Sequence, residues 1–257
     1  MTTDQKNLRK ITREQKPLIH CITNPISIHD CANIILATGG RPIMAEHPAE
    51  VAEITEQAQA LALNLGNITD ARMEAMPRSL EVAARLSLPV MLDLVGTACS
   101  ELRYTFAKKL MDLHMPSLLK GNMSELLAMS GQSAHAIGID AGKEDALTDA
   151  NRAHLQELFQ EQAAKWNTTI LITGKEDMVV SAKQCNFINR GTPAMSEITG
   201  TGCMLGMICA TYLAVADPFT AAYTAATEFG IAGEKAEKIS SGPGSFQTEL
   251  FDQFYIN

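Results

Sequence analysis

The sequence predicts an α/β fold: a mostly parallel central sheet flanked by helices, with a helical C-terminal third. Three observations carry that expectation. Short apolar runs alternate with longer stretches of helical period, as repeated β–α units do. The runs are apolar almost throughout, which suits strands covered on both faces. From Gly202 onward the strand signals stop and helical ones continue to the end.

In order, the strands read as Pro17 to Ile22, Arg41 to Met44, Ala60 to Asn64, Pro89 to Leu94, Ser117 to Lys120 and Thr168 to Thr173. Ala-, Glu-, Gln- and Leu-rich segments separate most of them. Gly174-Lys-Glu-Asp177 then reads as a turn, and Met178-Val-Val-Ser181 as an antiparallel return at the sheet edge. The helical third reads as Cys203 to Ala216, a break at Asp217-Pro218, Phe219 to Ile239, a Gly-Pro-Gly turn and an amphipathic last segment.

With 257 residues, 46% of them hydrophobic, the chain can bury a full core; no linker-like or repetitive stretch interrupts it, so residues 1–257 are expected to form one domain. The net charge of −8 argues against nucleic acid or an anionic membrane as partner, because both demand clustered cations. A small anion such as a nucleotide remains compatible, since backbone N–H groups and one or two cations suffice to hold it. Cys21, Cys31, Cys99, Cys185, Cys203 and Cys209 form no C-x-x-C pair, and the opening residues lack the apolar run of a signal peptide, so a reducing cytoplasm is expected. The uncharged helix from Met204 to Ala216 would be about 20 Å long, short of the roughly 30 Å hydrocarbon layer, and reads as a core helix.

Open α/β sheets bind ligands beyond the carboxyl ends of their strands, so the residues at which strands stop are the candidates. Lys120 and Glu125 fall there, in Lys120-Gly-Asn-Met-Ser-Glu125; Glu125 could also close a capping box with Asn122, and the two roles are compatible. Asp93 ends the apolar run Pro89-Val-Met-Leu-Asp and either caps the next turn or holds a cation. Asp93 and Glu125 together are candidate Mg2+ ligands, directly or through water, because that ion takes one or two carboxylates plus phosphate oxygens. Ile198-Thr-Gly200-Thr-Gly202-Cys203 heads the apolar helix, where two glycines let the backbone approach a ligand and the helix start offers N–H groups and positive dipole to a phosphoryl group. Cys203, on the first turn, is either placed where a thiolate is favoured or a small buried hydrophobe. No G-x-x-x-x-G-K-[ST] loop occurs, so phosphate must be held in another way.

Set in order along the chain, these motifs resemble the hydroxyethylthiazole kinases of thiamine salvage, members of the ribokinase-like fold, a three-layer sandwich. The resemblance runs through His20-Cys-Ile-Thr-Asn24, Asp30-Cys-Ala-Asn33, Pro42-Ile-Met-Ala45, Leu63-Asn-Leu-Gly66, Leu92-Asp93, Val95-Gly96, Gly121-Asn122 with Glu125, Thr173-Gly174, Ile198-Thr-Gly-Thr-Gly-Cys203 and Gly242-Pro-Gly-Ser-Phe246. It implies that Asn24, Met44 and Gly200 meet the thiazole and that Lys120 and Thr173 meet ATP. Cys203 takes the catalytic-base position, Gly200 and Gly202 belong to the same catalytic segment, and Mg2+ is the expected cofactor. It also implies a homotrimer with sites between subunits. Three positions depart from the family pattern: Lys120 in place of Arg, Leu94 in place of Pro, and Pro25 where an aromatic residue is frequent. Lys keeps the charge but not the fork that grips phosphate at two points, and Pro25 can reshape the alcohol pocket.

Phosphoryl transfer has a loose transition state, so positioning and charge neutralisation carry most of the rate, and Cys203 is expected to accept the alcohol proton late. Two other readings give different expectations. A nucleotide-dependent lyase that repairs hydrated nicotinamide cofactors on the same fold would carry Asp where this chain has Cys203. A thiazole or pyrimidine binder without turnover would bind its ligand and release no ADP.

Overall fold

The computed structural model describes residues 3–256, with side chains from residue 7. Its centre is an eight-stranded sheet in the order β2-β1-β3-β4-β5-β6-β7-β8. The strands are β1 (Leu18–Ile22), β2 (Arg41–Ile43), β3 (Ala60–Asn64), β4 (Val90–Asp93), β5 (Leu118–Asn122), β6 (Thr169–Thr173), β7 (Asp177–Val180) and β8 (Cys185–Ile188). The first six run parallel; β7 pairs antiparallel with β6, and β8 pairs antiparallel with β7. All residues of β3 and β4 are buried, as expected of strands covered on both sides.

The helices are α1 (Thr3–Gln15), α2 (Ile28–Thr38), α3 (Val51–Gln57), α4 (Asp70–Leu86), α5 (Glu101–Leu113), α6 (Met123–Met129), α7 (Arg152–Trp166), α8 (Thr201–Leu213), α9 (Pro218–Ile239) and α10 (Pro243–Ile256). Side chains alternate across each strand, so one face receives Ile19, Cys21, Ala60, Ala62, Met91, Leu118, Leu171 and Val179, which pack under α1, α2, α8, α9 and α10. The other face receives Leu61, Leu63, Val90, Leu92, Leu119, Ile170 and Ile172 under α3 to α7. This is the expected three-layer sandwich. Arg9 of α1 fastens the first layer by donating to the Phe254 carbonyl at 2.7 Å and pairing with the buried Glu228 of α9 at 3.0 Å.

Three details differ from the sequence reading. The edge strand β8, Cys185-Asn-Phe-Ile, carries no apolar run and forms because β7 offers it a ladder. α10 begins at Pro243, inside the expected turn, since Pro lacks the N–H that a first helical residue leaves unused. β5 does not stop at Lys120: Gly121 and Asn122 pair with Ile172 and Thr173, which carries the strand two residues further.

Candidate active site

The alternation that builds the α8-side core also builds the site. One step beyond Ala62, Met91, Leu118 and Leu171, the same face presents Asn64, Asp93, Lys120 and Thr173 at the carboxyl end of the sheet. Asn64 and Asp93 are register partners, as are Asp93 and Lys120. The strand order reverses direction at β1, so Asn24, just after β1, and Asn64, ending β3, flank the switch point where such sheets bind ligands.

α8 lies over that point. Gly206 allows its close approach: a Cβ there would stand 3.0 Å from Met91 Cε and 3.5 Å from Asp93 Oδ2. Gly200 is the N-cap, with φ +89 and no side chain to satisfy the helix start. The first bond inside the helix runs from Met204 N–H to the Gly200 carbonyl at 2.8 Å, so Thr201, Gly202 and Cys203 keep their N–H groups clear of it.

Cys203 is held by the two asparagines. Asn24 Nδ2 approaches its sulfur at 3.2 Å and Asn64 Nδ2 at 3.4 Å. Each amide is oriented by its own turn, since Asn24 Oδ1 accepts from Ile26 N–H at 3.0 Å and Asn64 Oδ1 accepts from Gly66 N–H at 2.8 Å. Ser27 adds a hydroxyl to the sulfur. Despite these donors, burial and then the Asp93 carboxylate raise the thiol's pKa. Of the two readings open for Cys203, the favoured thiolate is therefore corrected: burial and the Asp93 charge favour the thiol.

Lys120 is the second correction. Its side chain is not at the rim but buried, with Nζ 2.9 Å from Asp93 Oδ2 and 3.4 Å from where a Cβ on Gly202 would lie. Burial would lower its pKa, but Asp93, Cys203 and Glu125 outweigh that and raise it. Asp93 is 1% exposed, and its Oδ1 has no hydrogen-bond partner.

Glu125 makes the complete capping box: Asn122 Oδ1 accepts from Glu125 N–H at 3.0 Å and Glu125 Oε2 accepts from Asn122 N–H at 2.7 Å. Its Oε1 accepts from Gly96 N–H at 2.7 Å, tying the loop after β4 to α6. Burial, followed by the nearby Asp93 charge, pushes its carboxyl up to about 7 against those two donors and Lys120.

Thr173 ends β6 and donates to the Gly121 carbonyl at 3.3 Å. Met44 directly follows β2 and lies half-buried against the α8-side core, while His20 bonds to the carbonyl of its neighbour Ala45 at 2.9 Å. Leu94 is fully buried and its N–H donates to the Lys120 carbonyl at 2.8 Å, a bond a proline could not make. Pro25 is exposed, next to Ile26, which is 62% exposed.

Asn24, Asp93, Lys120, Gly200, Gly202 and Cys203 are thus drawn together, with Glu125 linked through the Gly96 loop and Thr173 one strand beyond Lys120. Sequence reasoning assigned no role to Asn64 or Ser27. Asn64 could have been found by the rule that found Asp93, because both end buried strands; Ser27 carries no comparable signal.

No group of three or more His, Cys, Asp or Glu side chains suited to a metal ion occurs among the described residues. A nucleotide-bound Mg2+ does not require one, since phosphate supplies the remaining oxygens. The bare buried Oδ1 of Asp93 fits such an ion directly. Glu125, with both oxygens already accepting N–H groups, fits it through water.

The Hydroxyethylthiazole kinase family model matches residues 8–256 of this chain. The chain belongs to the hydroxyethylthiazole kinase family. As a member it is an enzyme of the kinase class, which implies ATP as co-substrate. Hydroxyethylthiazole kinase 2 of Clostridium botulinum (strain Okra / Type B1) is 43% identical over 249 residues, covering 96% of this chain and 93% of that one. The hydroxyethylthiazole kinase structure from Pyrococcus horikoshii OT3 superposes with a TM-score of 0.89 at 30% identity, over 100% of this chain and 94% of that one. A ribokinase-like superfamily protein from Enterococcus faecalis V583 shares the fold, with a TM-score of 0.63 at 16% identity over 96% of this chain and 93% of that one.

Proposed function

We propose that the chain, acting as one kinase domain, transfers the terminal phosphoryl group of ATP to the primary alcohol of 4-methyl-5-(2-hydroxyethyl)thiazole in thiamine salvage. The observation that carries this reading is the uncapped start of α8, opening on Cys203, Lys120 and Asp93 at the sheet's switch point. The N–H groups of Gly200 to Cys203 hold the phosphoryl group in flight, in line with the positive end of the helix dipole. Asn24, Met44 and Gly200 line the thiazole side, and Lys120 and Thr173 meet the nucleotide's phosphates.

Asp93 and Glu125 would hold Mg2+, which when bound offsets phosphate charge. Neutralising Asp93 would remove the second of the two influences that raise the Cys203 pKa, leaving burial opposed by Ser27, Lys120 and Asn64. In its thiolate form the Cys203 sulfur would accept the alcohol proton late, as the new P–O bond forms.

Exposed Pro25 and Ile26 beside Asn24 support a homotrimer in which a neighbouring subunit covers the thiazole pocket. Six free cysteines support a cytoplasmic setting, and no helix among the described residues is long and apolar enough to cross a membrane.

The test is ADP release by the purified chain supplied with ATP, Mg2+ and hydroxyethylthiazole, with the acceptor gaining one phosphoryl group by mass. Thiazole binding without ADP release would replace this reading with that of a binding protein lacking turnover.

A further inference from the structure

Asp93 and Lys120 form a buried pair that is complete on one side only. The ammonium bonds to Oδ2 at 2.9 Å, while Oδ1, in a residue 1% exposed, has no partner. A guanidinium fork at this position could take both oxygens; a single ammonium takes one and leaves the other without a partner. The same ammonium stands 3.4 Å from the Cβ position of Gly202, in the first turn of α8, where backbone N–H groups await an anion. Its flexible four-carbon stem therefore has little distance to cover between the carboxylate and that anion.

We propose that Lys120 is an internal stand-in cation: it occupies Asp93 until a divalent cation arrives and then moves onto the phosphate that accompanies it. This rests on the kinase reading for the identity of the phosphate but not for the exchange itself. Two positive charges compete for one carboxylate, so a divalent cation alone binds poorly. A cation bound together with phosphate binds well, because the phosphate gives the displaced ammonium a new partner. Metal and phosphate then strengthen each other's binding by the same factor. The exchange also keeps the carboxylate from standing uncompensated in the resting protein.

The experiment uses Mn2+ alone, with no nucleotide or acceptor, and follows free Mn2+ by electron paramagnetic resonance. Lys120→Met removes the competing charge at similar length and should tighten Mn2+ binding by at least about tenfold over the unaltered protein. Adding Asp93→Asn to that variant should abolish the gain. Equal Mn2+ binding with and without Lys120, or a gain that survives Asp93→Asn, overturns the proposal. A measurement on the unaltered protein covers the case in which Lys120→Met does not fold. Saturating Mn2+ should raise the rate at which Lys120 is acetylated by acetic anhydride, read by peptide mass, and an unchanged rate also overturns the proposal. Neither assay involves phosphoryl transfer, so a chain that fails to phosphorylate the thiazole can still pass both.

Discussion

Two helices start at the carboxyl edge of the same sheet and treat their first turns in opposite ways. α6 satisfies itself: Asn122 and Glu125 exchange hydrogen bonds, and the remaining Glu125 oxygen takes the Gly96 N–H. α8 begins at a glycine with no capping side chain, and Lys120 Nζ lies 3.4 Å from where a Cβ on Gly202 in its first turn would stand. A helix start that its own side chains close is architecture. One left open within a ring of polar strand ends is a place for a ligand, and the difference is read from the cap rather than from the helix dipole, which both share.

Three substitutions can break or sharpen that contrast. The largest effect is expected at the open start. A Cβ on Gly200 would meet Ser27 Cβ at 2.8 Å with φ at +89, so Gly200→Val should displace the turn and lower turnover by at least about a hundredfold. Steady-state kinetics alongside thermal unfolding decides whether the loss belongs to the site; wild-type turnover would remove α8 from the mechanism.

At the closed start the expected loss is one of stability. Glu125→Ala strands the Gly96 and Asn122 N–H groups and should cost about 3 kcal/mol, at roughly 1–3 kcal/mol for each buried group left unpaired. The same variant tests a pH effect. The folded protein holds the Glu125 proton up to about 7, whereas an unfolded chain releases it near about 4.3. The contribution is therefore fully present below the lower value and is lost as pH rises toward the higher one. Denaturant unfolding across that window should show wild-type stability falling relative to Glu125→Ala; parallel curves would mean that Glu125 titrates as an ordinary carboxylate.

The smallest effect is expected for Cys203→Asp. The amides of Asn24 and Asn64 are donors whatever acceptor they face, and the base contributes less than the anion hole, so the variant should retain more than about a tenth of wild-type turnover. A loss as large as that of Gly200→Val would place proton removal, not phosphoryl positioning, at the centre of the mechanism.

The same contrast explains what could be read from the sequence. The capping box was legible because its partners lie three residues apart, and most of the parallel strands were legible because burial on both faces leaves an apolar run, the partly exposed edge strand β2 being the exception. β8 was not, because its pairing with β7 rather than its composition makes it a strand. Lys120 was placed where β5 stops because the apolar run ends there, but the ladder to β6 extends the strand through Gly121 and Asn122 and leaves Lys120 inside it. The two readings of Cys203 stayed open for a related reason: the dipole of its own helix is visible locally, whereas the burial and the Asp93 charge that oppose a thiolate come from elsewhere in the chain.

The sulfur of residue 203 is gripped by amides 179 and 139 positions earlier. Such distant clasps form late on any folding route, after the strands have aligned, because closing long loops costs entropy before it gains contacts. A ribosome must therefore deliver the chain through α8 before chemistry can begin, because shorter chains lack the helix that both completes the site and covers one face of the sheet.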